Sequence, residues 1–260
     1  MLRVLLTRRW LGALLGAIVF AFAAYHLGWW QYHRHEAKVE RNRLIDRHYA
    51  AQPVELPSGL RGRTPLPADE QWLRVRITGT YAGEQLLVRN RPRESASGYE
   101  AVTALRLQDG RTILADRGWV PTSSEGAATL PDAPPPPAGT VTVVGWLRPT
   151  EASLHRQPAP GTLASISTAE AGSALGVELL SPYLLVDSES VDGTTPPRPV
   201  PLERPDESLG PHLAYAYQWW LGMSAGFVLV WLGLRREVRD AAPEAAKRPK
   251  KVRIWDEEDE

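Results

Sequence analysis

Four of the chain's six histidines fall at the edges of two long charge-free runs, where an imidazole is costly unless it has work to do. His26 lies in the outer half of the first run, and His33 and His35 follow it. His212 opens the second. On a helix His26, Trp30 and His33 share a face at i, i+4 and i+7, and His212, Tyr215 and Trp219 share one at i, i+3 and i+7. Two antiparallel helices would bring the stripes together as an aromatic pocket with imidazole at its mouth. Neutral imidazole is a ready axial ligand for haem iron, and Trp and Tyr rings suit a flat porphyrin. A plainer reading stands beside it: Trp and Tyr at the ends of membrane spans form an aromatic belt, and histidine is tolerated there.

Other chemistry finds little support. The chain holds no cysteine, which excludes a disulfide framework, thiolate zinc, CxxxC copper sites and covalently attached haem. Only two methionines are present, too few for a thioether relay. There is no GxSxG, HExxH or phosphate loop, and no enzymatic activity is expected. Asp187, Glu189 and Asp192 form a carboxylate group that reads as a solvated turn. His48 and His155 stand alone in polar surroundings. Lys plus Arg and Asp plus Glu both total 30, so no nucleic-acid partner is implied.

The elements that must hold the histidines are two membrane helices. Residues 10–31 carry no formal charge and follow Arg3, Arg8 and Arg9. The run is longer than a signal-peptide core and ends in Tyr25, His26, Trp29 and Trp30, which favours an uncleaved helix. Residues 212–234 form the second span, whose charge-free stretch 213–234 covers about 33 Å at ~1.5 Å per residue. Eight Lys and Arg between Arg235 and Arg253 place the C-terminus in the cytoplasm, and two spans return the N-terminus there. The expected organisation is a cytoplasmic start at 1–9, a span at 10–31, an extracytoplasmic domain at 32–210, a span at 212–234 and a charged, disordered tail at 235–260.

Between the spans the pattern is a mostly antiparallel β domain, an open sheet or barrel-like, with one short helix. Strands are expected at 72–81, 85–89, 99–107, 112–120, 140–147, 163–166, 183–187 and 200–202. Asp109-Gly110 signals a two-residue hairpin. The short helix covers 168–175, capped by Thr168 and ended by Gly176. Residues 131–139 (PDAPPPPAG) are a stiff proline-rich excursion. In 117–119, Arg-Gly-Trp reads as a strand end with Trp119 in the core and Gly118 allowing close packing.

Three stretches, in order, resemble the surfeit-locus (Surf/Shy) family: 27–34 (LGWWQYHR), 117–121 (RGWVP) and 212–219 (HLAYAYQW). Weaker echoes are 98–105 (GYEAVTAL) and 144–151 (VGWLRPTE), and the likeness runs from about residue 27 to 234. Departures are Pro211, Ala104, the proline-rich segment and the tail. The resemblance implies a bacterial cell-membrane protein that assists assembly of haem–copper terminal oxidases, mainly cytochrome c oxidase, while haem a enters subunit I. It implies haem a as a transient ligand, and as partners subunit I, the haem a synthesis machinery and the lipid bilayer. By position, His212 would ligate iron. Tyr215, Gln218 and Trp219 would line the site, Trp30, Gln31 and Arg34 would face it, and His26 or His33 would supply a second ligand. Arg34 is suited to pair with a haem propionate. The alternatives are a scaffold for nascent subunit I that never touches haem, and a membrane-anchored enzyme acting through the β domain.

Overall fold

The computed structural model describes residues 2–126, 129–156 and 159–241. The elements in chain order are α1 (Leu2–Leu5), α2 (Arg8–His48), β1 (Val54–Glu55), a 3₁₀ turn (Ala68–Glu70), β2 (Arg74–Val88), β3 (Gly98–Leu107), β4 (Thr112–Pro121), β5 (Thr140–Arg148), β6 (Thr162–Leu163), α3 (Thr168–Leu175), β7 (Tyr183–Ser190) and α4 (His212–Asp240). They fall into two compact units, residues up to 39 together with those from 208, and residues 40–207. The tail expected to be disordered lies, from residue 242, outside the described residues.

The first unit holds most of α2 and all of α4. No proline interrupts residues 8–48, and the helix runs unbroken from the apolar stretch into the charged one. Both expected helices form. Among the described residues one, Arg8–His48, is long and apolar enough to cross a membrane by length and composition. α4 is charge-free over 213–234, but Tyr215, Tyr217, Gln218, Trp219 and Trp220 make its first half less apolar.

The two helices pack antiparallel along a seam of small residues. Trp10 of α2 donates its indole N–H to Glu237 of α4 at 2.9 Å. A Cβ at Gly226 would stand 3.1 Å from the Ala17 Cβ, and one at Gly28 or Gly233 would overlap the Trp220 or Trp10 indole. Ala24 and Ala216 are fully buried. In lipid, where no hydrophobic drive separates helix from tail, such close backbone approach is what makes helices associate.

The second unit is a mixed sheet. β2–β3, β3–β4, β2–β5 and β5–β7 are antiparallel, while β1–β2, β2–β6 and β4–β7 are parallel. The domain is mostly antiparallel, as expected; its longest parallel pairing is the short one of β7 with β4, two strands separated in the chain by β5, β6 and α3. β5 pairs with both β7 and β2, so the order β2-β3-β4-β7-β5 closes on itself. Val75, Ile77, Leu105, Ile113, Val143, Leu147 and Leu184 form the main core, contributed by all five strands. Val88, Val102, Leu114, Ile166, Ala171 and Tyr183 form a second under α3. A third joins the end of α2 to the sheet through Leu44, Ile45, Trp72 and Trp146.

Local differences from expectation have local causes. The strands expected at 72–81 and 85–89 are one strand, β2, with a register shift between Ala82 and Leu86 that the alternation hides. The β3–β4 turn holds three residues, 108–110, rather than two inside its closing pair: Leu107 N–H donates to Arg111 O at 2.8 Å around Gly110, whose φ is +86°. Ser167, not Thr168, caps α3, accepting from the Glu170 N–H, and Gly176 ends it at φ +66°. The strand expected at 163–166 is reduced to Thr162–Leu163, and that at 200–202 to one bridge, Trp119 to Val200.

Candidate functional site

In the helix pair His212 begins α4 and faces α2. Its Nδ1 lies 2.8 Å from Gln31 Oε1. An amide oxygen can only accept, so this contact calls for a proton on Nδ1, and a neutral ring then carries its lone pair on Nε2. Nε2 makes no hydrogen bond among the described residues. Gly210, at φ +63°, abuts the same ring: a Cβ there would lie 3.7 Å from Nε2 and 3.4 Å from Lys38 Nζ. Lys38 Nζ donates to Ser208 O at 3.0 Å, fixing the chain just before α4. Lys38, Arg34 and His35 are within electrostatic reach of the His212 ring.

Helical phase sorts the other candidates. Gly28 and Gln31 lie on the α2 seam, and His212 and Ala216 on that of α4. Trp219, seven residues after His212, shares its face of α4 and is half-buried, while Tyr215 one turn earlier is exposed. Arg34 flanks the α2 seam, while Trp30, two residues past Gly28 and half exposed, is turned from it, with the Arg34 guanidinium 5.2 Å from its ring centroid. On the opposite flank Trp220 packs against Trp29 and Tyr32, with centroids 5.6 and 6.0 Å apart, and against Tyr217 at 5.9 Å. Gln218 is exposed, two residues past buried Ala216 and so turned from the seam.

The expected stripe of His26, Trp30 and His33 does not meet α4, because the small residues Ala24 and Gly28 set the contact and the histidines sit more than 100° around the helix. His26 packs on Phe22 at 4.4 Å. His33 stacks on Trp29 at 5.5 Å and lies 3.1 Å from Glu36. The imidazole on His212's side is instead His35, whose buried Nδ1 has no partner among the described residues. Seam phase follows glycine and alanine rather than the histidines, so chemical type alone does not predict which face of α2 meets α4. No group of three or more His, Cys, Asp or Glu that could hold a metal ion occurs among the described residues.

The β unit holds charge that the sequence did not betray. Arg117 and Glu189, on β4 and β7, are wholly buried and meet through Nε–Oε1 at 2.9 Å and Nη2–Oε2 at 3.1 Å. Tyr81 donates to Glu189 at 2.5 Å, and Arg117 Nη1 donates to Gln85 Oε1 and Pro134 O at 2.8 and 2.9 Å. Burial pushes the Tyr81 hydroxyl well above its ordinary range, with Glu189 adding to the effect. The reading of Glu189 as part of a solvated turn is therefore overturned. Asp187 pairs with Arg74 at 2.6 Å. Beside Arg117, Gly118 stands at φ +133° where any Cβ would overlap Val200 O, and Trp119 is buried, as its reading as core required.

Under α3 lies a second charged group. Arg91 bridges Glu100 at 2.8 Å and Glu151 at 2.6 Å. Asp116, 1% exposed, accepts from the Gly118 N–H at 3.2 Å through Oδ1, and its Oδ2 has no partner among the described residues. Burial raises Glu100 to about 7, with Arg91 opposing and Glu151 reinforcing. Burial also pushes Asp116 up, aided by Glu100. A cavity of about 440 Å³ beside this group is lined by Arg63, Glu151, Ser167, Thr168, Glu178 and Ser181.

A long apolar helix, consistent with a membrane anchor, and a mixed-sheet unit with a short helix define the class. The chain belongs to the SURF1 family, whose profile matches residues 18–224. It is similar to an uncharacterised SURF1-like protein of Mycobacterium bovis, 29% identical over 225 residues covering 84% of this chain and 80% of the relative. A SURF1-like protein of Rickettsia bellii is 22% identical over 231 residues, covering 86% of this chain and 91% of the relative. One from Monosiga brevicollis is 29% identical over 249 residues, covering 86% and 87%.

Proposed function

We propose that this protein is an assembly factor for a haem–copper terminal oxidase that holds haem a as cargo on its way into subunit I. Membership of the SURF1 family supports the oxidase. The observation that carries the haem is the His212–Gln31 contact, which leaves an unprotonated imidazole nitrogen at the head of α4. The donor set fits: a neutral nitrogen suits iron, Tyr215 and Trp219 offer ring faces, and Arg34 offers a guanidinium to a propionate. Bound haem would bring its redox-active iron and macrocycle, and the chain would bind, orient and release it without covalent chemistry. α4 is the second membrane span, both termini lie in the cytoplasm, and the sheet unit lies outside, where it meets subunit I and the haem a synthesis machinery.

The test is an absorption spectrum of the protein purified after co-expression with haem a synthesis, as wild type and as His212→Ala. A stoichiometric haem a spectrum lost in the variant is expected. Haem bound equally by both moves the ligand elsewhere. Haem in neither, with oxidase assembly still failing when the gene is deleted, replaces the carrier with a scaffold.

A further inference from the structure

We infer that Gln31 is a positioning residue that fixes the tautomer of His212, making Nε2 the atom offered to the iron. The inference rests on the haem reading above and narrows it from a residue to an atom. Free imidazole in water exchanges between two tautomers, so an unsupported histidine offers either nitrogen. Here Gln31 Oε1 is placed to accept a hydrogen bond from the Nδ1–H at 2.8 Å. A carbonyl on the far ring nitrogen is the usual way a protein orients a ligating histidine and raises its basicity. Placement follows from the fold. Gln31 stands one turn after Gly28, whose missing side chain lets α4 approach, so the amide reaches the ring directly. Gly210 and the Lys38–Ser208 bond hold the other end of the ring's reach. The ring is thus tethered through Nδ1 at the seam, with Nε2 free beside Gly210.

The experiment has two arms, both on the full-length protein in detergent micelles. The first reads the ring nitrogens of His212 by ¹⁵N NMR of histidine-labelled, ligand-free protein at pH 8, with the resonances assigned by their loss in His212→Ala. Wild type should show a protonated Nδ1 and a bare Nε2. Gln31→Leu should move the ring toward the Nε2-protonated form. Gln31→Glu, which keeps the acceptor, should retain the wild-type tautomer and shows that the variant site still folds. The second arm titrates haemin into the same proteins. Gln31→Leu should weaken binding by about 10-fold or more, the scale on which loss of a ligand's outer hydrogen bond acts.

A wild-type ring protonated on Nε2, or a tautomer that Gln31→Leu leaves alone, overturns the assignment whatever haemin does. A tautomer that shifts while haemin binds wild type and Gln31→Leu equally also overturns it, since the contact would then not position a ligand. A tautomer that shifts while wild type takes no haemin overturns the haem reading and leaves Gln31's effect on the ring established.

Discussion

Arg117 and Glu189 meet in a two-pronged ion pair with neither side chain exposed. Each is separated from the other by 72 residues of sequence and brought alongside by the parallel pairing of β4 and β7. Such a pair loses its hydration on folding, and only near-complete bonding repays that. Here Tyr81, Gln85 and the Pro134 carbonyl supply the remaining partners. The pair also ties the proline-rich segment to the sheet, because the Pro134 carbonyl accepts from both Arg117 and Gln85.

Removing one partner should therefore hurt more than removing both. Glu189→Leu strands a buried guanidinium and should cost about 3–5 kcal/mol of stability, as should Arg117→Met in reverse. The double variant should cost less than the sum, since no charge is left uncompensated. Urea unfolding followed by tryptophan fluorescence checks this, with Trp119 beside Arg117 as a local probe. Additive losses would show that the two charges do not depend on one another.

How far the sequence could be read divides along the same line. Strands came through because alternation is local: Val75 and Ile77 point inward between Arg74, Arg76 and Thr78. α3 came through because a cap and a glycine are local too, with the cap misplaced by one residue. The Arg117–Glu189 pair was hidden. Glu189 sits among Asp187, Ser188 and Ser190, a polar run that resembles a turn, and only the register of β7 buries it. The candidate site was half legible. His212 and Gln31 lay inside recognisable motifs, and they meet. His26 and His33 were chosen by residue type, whereas the helix contact is set by Ala17, Ala24 and Gly28, which carry no chemical signal.

Stability should fall as pH rises toward neutrality. Glu100 stays protonated in the folded chain up to about 7, against an ordinary value of 4.5. Between those values the folded state holds a proton that the unfolded state has released. The contribution is thus complete below about 4.5 and is lost as pH climbs through 7, on the order of 3 kcal/mol. Asp116, raised in the same way, acts in the same direction. Glu100→Gln removes the titration, so unfolding midpoints measured from pH 5 to pH 8 should fall for wild type and stay flatter for the variant. A wild-type midpoint that climbs over that range would refute the account.

The helix pair offers a sharper test at Gly28. A Cβ at that position would overlap the Trp220 indole, whose buried nitrogen has no partner among the described residues, while a Cβ at Gly222 meets none of them within 4 Å. Gly28→Ala should therefore push α4 away and cost about 1–3 kcal/mol of pairing, as overpacking does, while Gly222→Ala should be neutral or better, because alanine favours helix. The chain has no cysteine, so an introduced pair at Ala17 and Gly226, where a Cβ on Gly226 would stand 3.1 Å from that of Ala17, reports the pairing cleanly. Oxidative cross-linking of Ala17→Cys with Gly226→Cys should be efficient alone and with Gly222→Ala, and reduced with Gly28→Ala. The same displacement should draw Gln31 from His212, since both contacts lie within one turn of α2. Haemin affinity should then drop with cross-linking. If cross-linking falls while haemin binding holds, the His212 site does not depend on the seam.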